Sequence, residues 1–213
     1  MARLTIEHDA PAEDANAKTR RRSVALRLDG HAWLRVEREV FAELGIHDGD
    51  DFDDVRRAEI ELTIAQVRAR LFVIRSLAVR LQSTAELERK LAVRDIPADV
   101  ARAALERVAD YGYVNDEALA DQLARGMRSR GYGRRRAEQK LRERGLRGDI
   151  AKAAIAEAYE QVDETDLARE ALRSRPTATD AERRRAVAFL ARRGFSTAAA
   201  WGAVRASVDT EGS

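Results

Sequence analysis

The chain has 213 residues with 39 Lys and Arg against 37 Asp and Glu, a net charge of +2, and 45% hydrophobic residues, enough for packed cores. It has no cysteine, which excludes disulfides, thiolate metal sites and cysteine nucleophiles. Charged residues make up 36% and aromatics 5%, with three prolines, a balance that favours helix.

Residues 1–22 are polar, close on Arg20, Arg21 and Arg22, and read as a flexible arm. Residues 23–52 carry two alternating runs, Val24, Leu26, Leu28 and Ala32, Leu34, Val36, joined by Asp29-Gly30. That pattern predicts a β-hairpin with a type I′ turn, followed by a short helix from Glu37 to Leu44 stopped by Gly45. A long helix is expected from Asp53, with an apolar stripe through Ile60, Ile64, Val67, Leu71, Ile74, Ala78 and Leu81.

Beyond it the sequence repeats. Leu91, Asp95, Ile96, Val100 and Leu105 recur 50 residues later as Leu141, Gly145, Leu146, Ile150 and Ile155, and again as Leu190, Gly194, Phe195, Ala199 and Val204. A period of this size marks stacked supersecondary units. The expected fold is therefore mostly α, three tandem three-helix repeats over 53–112, 113–162 and 163–208 in an elongated array, with residues 209–213 as a disordered tail.

Ser83 and Glu86 form a capping box before the first middle helix, and Pro97 opens the helix after it. Gly112 and Tyr113 mark the joint to the second repeat, with Tyr113 expected to wedge it, and Asn115 caps the next helix with Asp116 in its first turn. Gly131 and Gly133 break that helix, Gly145 and Gly194 close the middle helices, and Asp149 is expected as a cap. Asp95 stands where the other repeats have glycine, and aspartate tolerates positive φ better than most residues. Trp201 reads as core and Trp33 as the aromatic with most exposure.

The charge is unevenly spread. Arg128, Arg130, Arg134, Arg135, Arg136, Lys140, Arg142 and Arg144 crowd one stretch, with Glu138 and Glu143 as its local acids, and Arg192 and Arg193 add a smaller group. With Ala137 and Leu141 inward, Arg135, Arg136, Gln139 and Arg142 point away from the core. Guanidinium forks suit carboxylates on a protein or phosphates on DNA equally well. His8, His31 and His47 all lie in the N-terminal quarter and no phosphate loop is present, which argues against an enzyme, a metal or a cofactor.

The segments YGYVNDEALA (111–120), SRGYGRRRAEQKLRERGL (129–146) and RRRAVAFLARRGFS (183–196), with the hairpin and its following helix, resemble the RecX family of recombinase regulators. The resemblance implies a protein that lies in the groove of a RecA filament on DNA and inhibits strand exchange, with effects on ATP hydrolysis. It implies RecA as the partner, with weak binding to single- or double-stranded DNA alone; the lack of a long apolar run and of an apolar signal core points to a cytoplasmic chain without membrane association, and the terminal repeats, with no long exposed apolar stripe, to a monomer. The residues themselves leave a second reading open, an autonomous helix-turn-helix-like DNA-binding regulator with an arginine-rich second helix.

Overall fold

The computed structural model describes residues 1–8 and 23–211. Its N-terminal part is a four-stranded antiparallel sheet of β1 (Ala2–His8), β2 (Ser23–Leu28), β3 (His31–Glu37) and β4 (Asp51–Phe52), in the order β3-β2-β1-β4. The hairpin expected at Asp29-Gly30 is present, with φ of 49° and 76°, both positive as a type I′ turn requires.

The expectation of an unstructured arm over 1–22 needs correcting at its start. Residues 2–8 form β1, paired with β2 from Leu4 opposite Leu28 to His8 opposite Val24. The signal was Ala2, Leu4 and Ile6 at a spacing of two, which puts one apolar face on the sheet and buries Leu4 to 1% exposure. Residues 9–22, including the three arginines at 20–22, lie outside the described residues.

Helix α1 (Arg38–Phe41) is shorter than expected and gives way to turns before Gly45. Helix α2 (Asp54–Val79) starts at Asp53, whose carboxylate accepts from the Arg56 amide at 2.7 Å. Its residues Ile60, Ile64 and Val67 join Leu4, Leu26, Val36 and Phe52 in one core. Further along, Ala69 and Val73 are fully buried while Ile74 is 41% exposed, so the expected single stripe does not run on to Leu81. At 100° per residue Ala69 and Val73 lie opposite the first stripe, and α2 also packs on α4 (Ala98–Asp110). One helix thus serves two partners on two faces.

The remaining helices follow the repeat: α3 (Thr84–Ala92) before α4, then α5 (Asp116–Ser129), α6 (Arg134–Glu143), α7 (Gly148–Tyr159), α8 (Glu164–Leu172), α9 (Asp180–Arg192) and α10 (Thr197–Glu211). The three middle helices α3, α6 and α9 end alike. Ile96 donates to the Leu91 carbonyl, Leu146 to Leu141 and Phe195 to Leu190, each across a left-handed residue, Asp95 (φ 57°), Gly145 (80°) or Gly194 (86°). This is the Schellman closure, and it places the fully buried Leu91, Leu141 and Leu190 over Ile96, Leu146 and Phe195 in sequence register.

Two local expectations differ. Asp149 is not a cap: α7 begins after Arg147, and Asp149 sits in its first turn beside Lys152. Residues 209–211 belong to α10 rather than to a tail, while 212–213 lie outside the described residues. The chain divides into two compact units, Met1–Arg80 with Leu87–Tyr113, and Leu81–Glu86 with Val114–Ser213. The second holds two cores, one around Leu119, Leu141 and Ile155, the other around Leu172, Leu190 and Phe195.

Candidate functional site

The arginine-rich helix α6 lies in the second unit. Ala137 and Leu141 are fully buried, which fixes the rotation of the helix and sends its other faces outward. Arg135, Gln139 and Arg142, at i, i+4 and i+7, form one exposed stripe, and none of them makes an ion pair among the described residues. The cations beside the stripe are already paired with carboxylates. Arg134 meets Glu138 at 3.4 Å, Arg136 meets Glu143 at 3.3 Å, and Lys140 meets the same carboxylate at 3.5 Å.

The placement runs against helix stability. The first turn of α6 holds Arg134, Arg135 and Arg136 and no acid. Positive charge at a helix N-terminus opposes the macrodipole, at a cost of about 0.3–1 kcal/mol per exposed group. Glycine at the N-cap supplies no side-chain acceptor either. Arg135 therefore adds positive potential at the helix N-terminus without a return in local stability, while Arg142, in the last turn, complements the dipole.

Other residues expected on the binding face are placed elsewhere. Arg144 has its Nε 2.8 Å from Glu86 Oε2 and donates from Nη2 to the Leu81 carbonyl at 2.8 Å, while its own carbonyl accepts from the Ser83 hydroxyl. Arg193 donates to the Arg130 carbonyl at 2.6 Å and stacks over Tyr132 at 4.5 Å. Arg128 donates to the Ala158 carbonyl at the end of α7, and Arg125 pairs with Glu157. Charge density in the sequence does not distinguish a guanidinium that tethers backbone from one held in water. Arg130 and Arg192 are exposed and unpaired among the described residues.

The structural residues mostly take their expected places. Asn115 accepts from the Ala118 amide, and Gly112, Gly131, Gly145 and Gly194 all have positive φ. Asp116, besides opening α5, accepts from the Thr84 amide at 2.9 Å. Gly133 has ordinary extended backbone, and its need for glycine is contact: a Cβ there would stand 2.5 Å from the Gly194 carbonyl carbon. Tyr113 is 62% exposed and does not wedge a joint; its ring centroid lies 6.4 Å from that of the exposed Tyr111. Trp201 is 39% exposed, whereas Trp33 packs edge-on against Phe52 and donates to Glu61, the reverse of the expected roles.

Tyr159 donates its hydroxyl to the Tyr132 carbonyl at 2.9 Å, and burial pushes its pKa up to about 12 despite the nearby Arg128. Among the described residues no cluster of His, Asp and Glu could hold a metal ion, and no helix is long and apolar enough to cross a membrane.

Comparison with known proteins places this geometry in a family. Residues 63–107 match the model described as the first three-helix domain of RecX, and residues 115–155 the model of the second. The regulatory protein RecX of Mycolicibacterium vanbaalenii is 36% identical over 155 residues, covering 68% of this chain and 84% of that protein. Its counterpart from Thermobifida fusca is 33% identical, covering 68% and 81%. A crystal structure of a regulatory protein RecX superposes with a TM-score of 0.64 at 19% identity, over 99% of this chain and 100% of that one. The RecX structure from Lactobacillus salivarius gives 0.58 at 17% identity, over 68% and 97%. With its three-helix domains, and with a relative this similar over most of its length, the chain belongs to the RecX family of non-enzymatic regulatory proteins.

Proposed function

We propose that the chain regulates a RecA recombinase by binding in the groove of the RecA–DNA filament, mainly inhibiting strand exchange and ATP hydrolysis. The observation that carries this reading is the stripe Arg135, Gln139 and Arg142, two guanidiniums without an ion pair among the described residues and an amide on one face of α6, with Arg135 set against the helix dipole. Arg130 and Arg192 add charge in the same unit. Several such faces engaging neighbouring filament subunits would combine modest contacts into strong binding, which suits a chain acting as a monomer in the cytoplasm. Occupying the groove would hinder entry of a second duplex.

The test is RecA ATP hydrolysis on single-stranded DNA at graded amounts of this protein. The parent should inhibit, and a folded Arg135→Ala/Arg142→Ala variant should need at least about a hundredfold more protein for the same effect. Equal inhibition by both would remove the stripe from the mechanism.

A second reading, DNA binding without the recombinase, is favoured by the compact set α5, α6 and α7 with its cationic middle helix. It predicts tight binding to duplex alone, with log K falling steeply with log salt. Filament regulation predicts that tight binding needs RecA.

A further inference from the structure

An arginine stands directly before the left-handed residue that closes the middle helix of each repeat: Arg94 before Asp95, Arg144 before Gly145, Arg193 before Gly194. In the second and third repeats this arginine reaches back by the same chain distance. Arg144 Nη2 donates to the carbonyl of Leu81 and Arg193 Nη2 to that of Arg130, each 63 residues upstream. In the first repeat Arg94 instead lies over the Phe72 ring at 3.9 Å and donates to the Lys90 carbonyl.

Helix α6 is consequently held at both ends. At its N-terminus Gly133 donates to the Arg193 carbonyl at 2.9 Å and Arg135 to the Gly194 carbonyl at 3.3 Å. The backbones meet so closely that neither Gly133 nor Gly194 has room for a Cβ. At its C-terminus Arg144 is fixed by Leu81, Ser83 and Glu86. The exposed stripe sits between these two fastenings.

We infer that Arg193 and the pair Arg144–Glu86 are positioning residues for binding: they hold α6 at a fixed angle and register, so that Arg135, Gln139 and Arg142 meet the partner already ordered. This rests on the reading of that stripe as the binding face. A helix that must be ordered on association loses affinity without losing a contact. A clamp residue thereby differs from a contact residue in what it does to salt dependence.

The experiment uses the full chain and a RecA filament on single-stranded DNA, with affinity measured across a salt series. The variants are Arg193→Lys, which keeps the charge but not the fork over Tyr132, and Glu86→Gln, which leaves Arg144 without its counter-ion and makes the chain more positive. Each should bind about tenfold more weakly with an unchanged slope of log K against log salt, and α6 amides should exchange hydrogen faster. For Glu86→Gln, simple electrostatics predicts the opposite sign on an anionic filament. Ser83→Ala tests the same end of α6 as Glu86→Gln should that variant fail to fold. Unchanged affinity in the folded variants, or a slope that falls together with affinity, would overturn the inference. If Arg135→Ala/Arg142→Ala also binds normally, the binding reading itself fails. If only the double variant loses affinity, the binding face stands and the clamp does not.

Discussion

Replacing Gly194 by alanine tests the backbone contact that holds α6. The added Cβ would stand 2.5 Å from the Arg136 Cβ, with the Arg136 amide nitrogen closer still, at a φ of 86°. Three costs add. A left-handed L-residue costs about 1–2 kcal/mol. Overpacking against a backbone that cannot retreat adds roughly 1–3 kcal/mol. Losing the Arg135 amide bond to the Gly194 carbonyl adds about 1 kcal/mol. The expected destabilisation is thus about 3–6 kcal/mol.

Gly148 supplies the control, since it has a φ of 63° in the same unit and nothing within 4 Å of the site its Cβ would take. Gly148→Ala should lose only the conformational share, about 1–2 kcal/mol. Urea unfolding followed by circular dichroism gives both numbers, and hydrogen exchange shows whether the loss centres on α6, α9 and α10. Equal shifts for the two variants would refute the steric argument.

Asp95→Gly relieves a left-handed aspartate at the end of α3 and should raise stability by about 0.5–1 kcal/mol, less than the full strain because glycine also loosens the unfolded chain. Urea midpoints of the parent and the variant read it, and a lower midpoint would contradict it. Asp163 and Glu182 are held below the usual carboxylate range, Asp163 by the amides of Asp166 and Thr165, Glu182 chiefly by the amide of Thr179. Lowered folded values mean that this stability is present above the unfolded carboxylate pKa and is lost as pH falls through the lowered ones. Glu182→Gln should therefore lower the melting temperature at pH 7 clearly more than at pH 3; the same loss at both would contradict the carboxylate's part in the cap.

How much of this was written in the sequence varies with the range of the interaction concerned. Asp29-Gly30, the Ser83–Glu86 box, Asn115 and the left-handed residues closing the middle helices were legible because each acts within a few residues of itself. Strand β1 was missed because its partner, β2, lies beyond residues 9–22, although Ala2, Leu4 and Ile6 already alternate. The double-sided burial of α2 was missed because the stripe for one partner conceals the pair Ala69 and Val73, buried on the opposite face. At the candidate site, helical spacing correctly turned Arg135, Gln139 and Arg142 outward. It could not show that Arg144 and Arg193 tether carbonyls 63 residues away, since that depends on packing between repeats. Their shared position in the repeat, one residue before the helix stop, was the available signal.

The account turns on the exposed stripe of α6 being the surface that binds. The direct measurement is the affinity for a RecA filament on single-stranded DNA of Arg135→Ala/Arg142→Ala beside Lys152→Ala/Arg169→Ala, which removes the same charge from residues paired with Asp149 and Asp166. Two charge-assisted contacts at about 1.5–3 kcal/mol each predict a loss of at least a hundredfold for the stripe variant, and less than threefold for the control. Equal losses in the two variants, or none in the first, would contradict it.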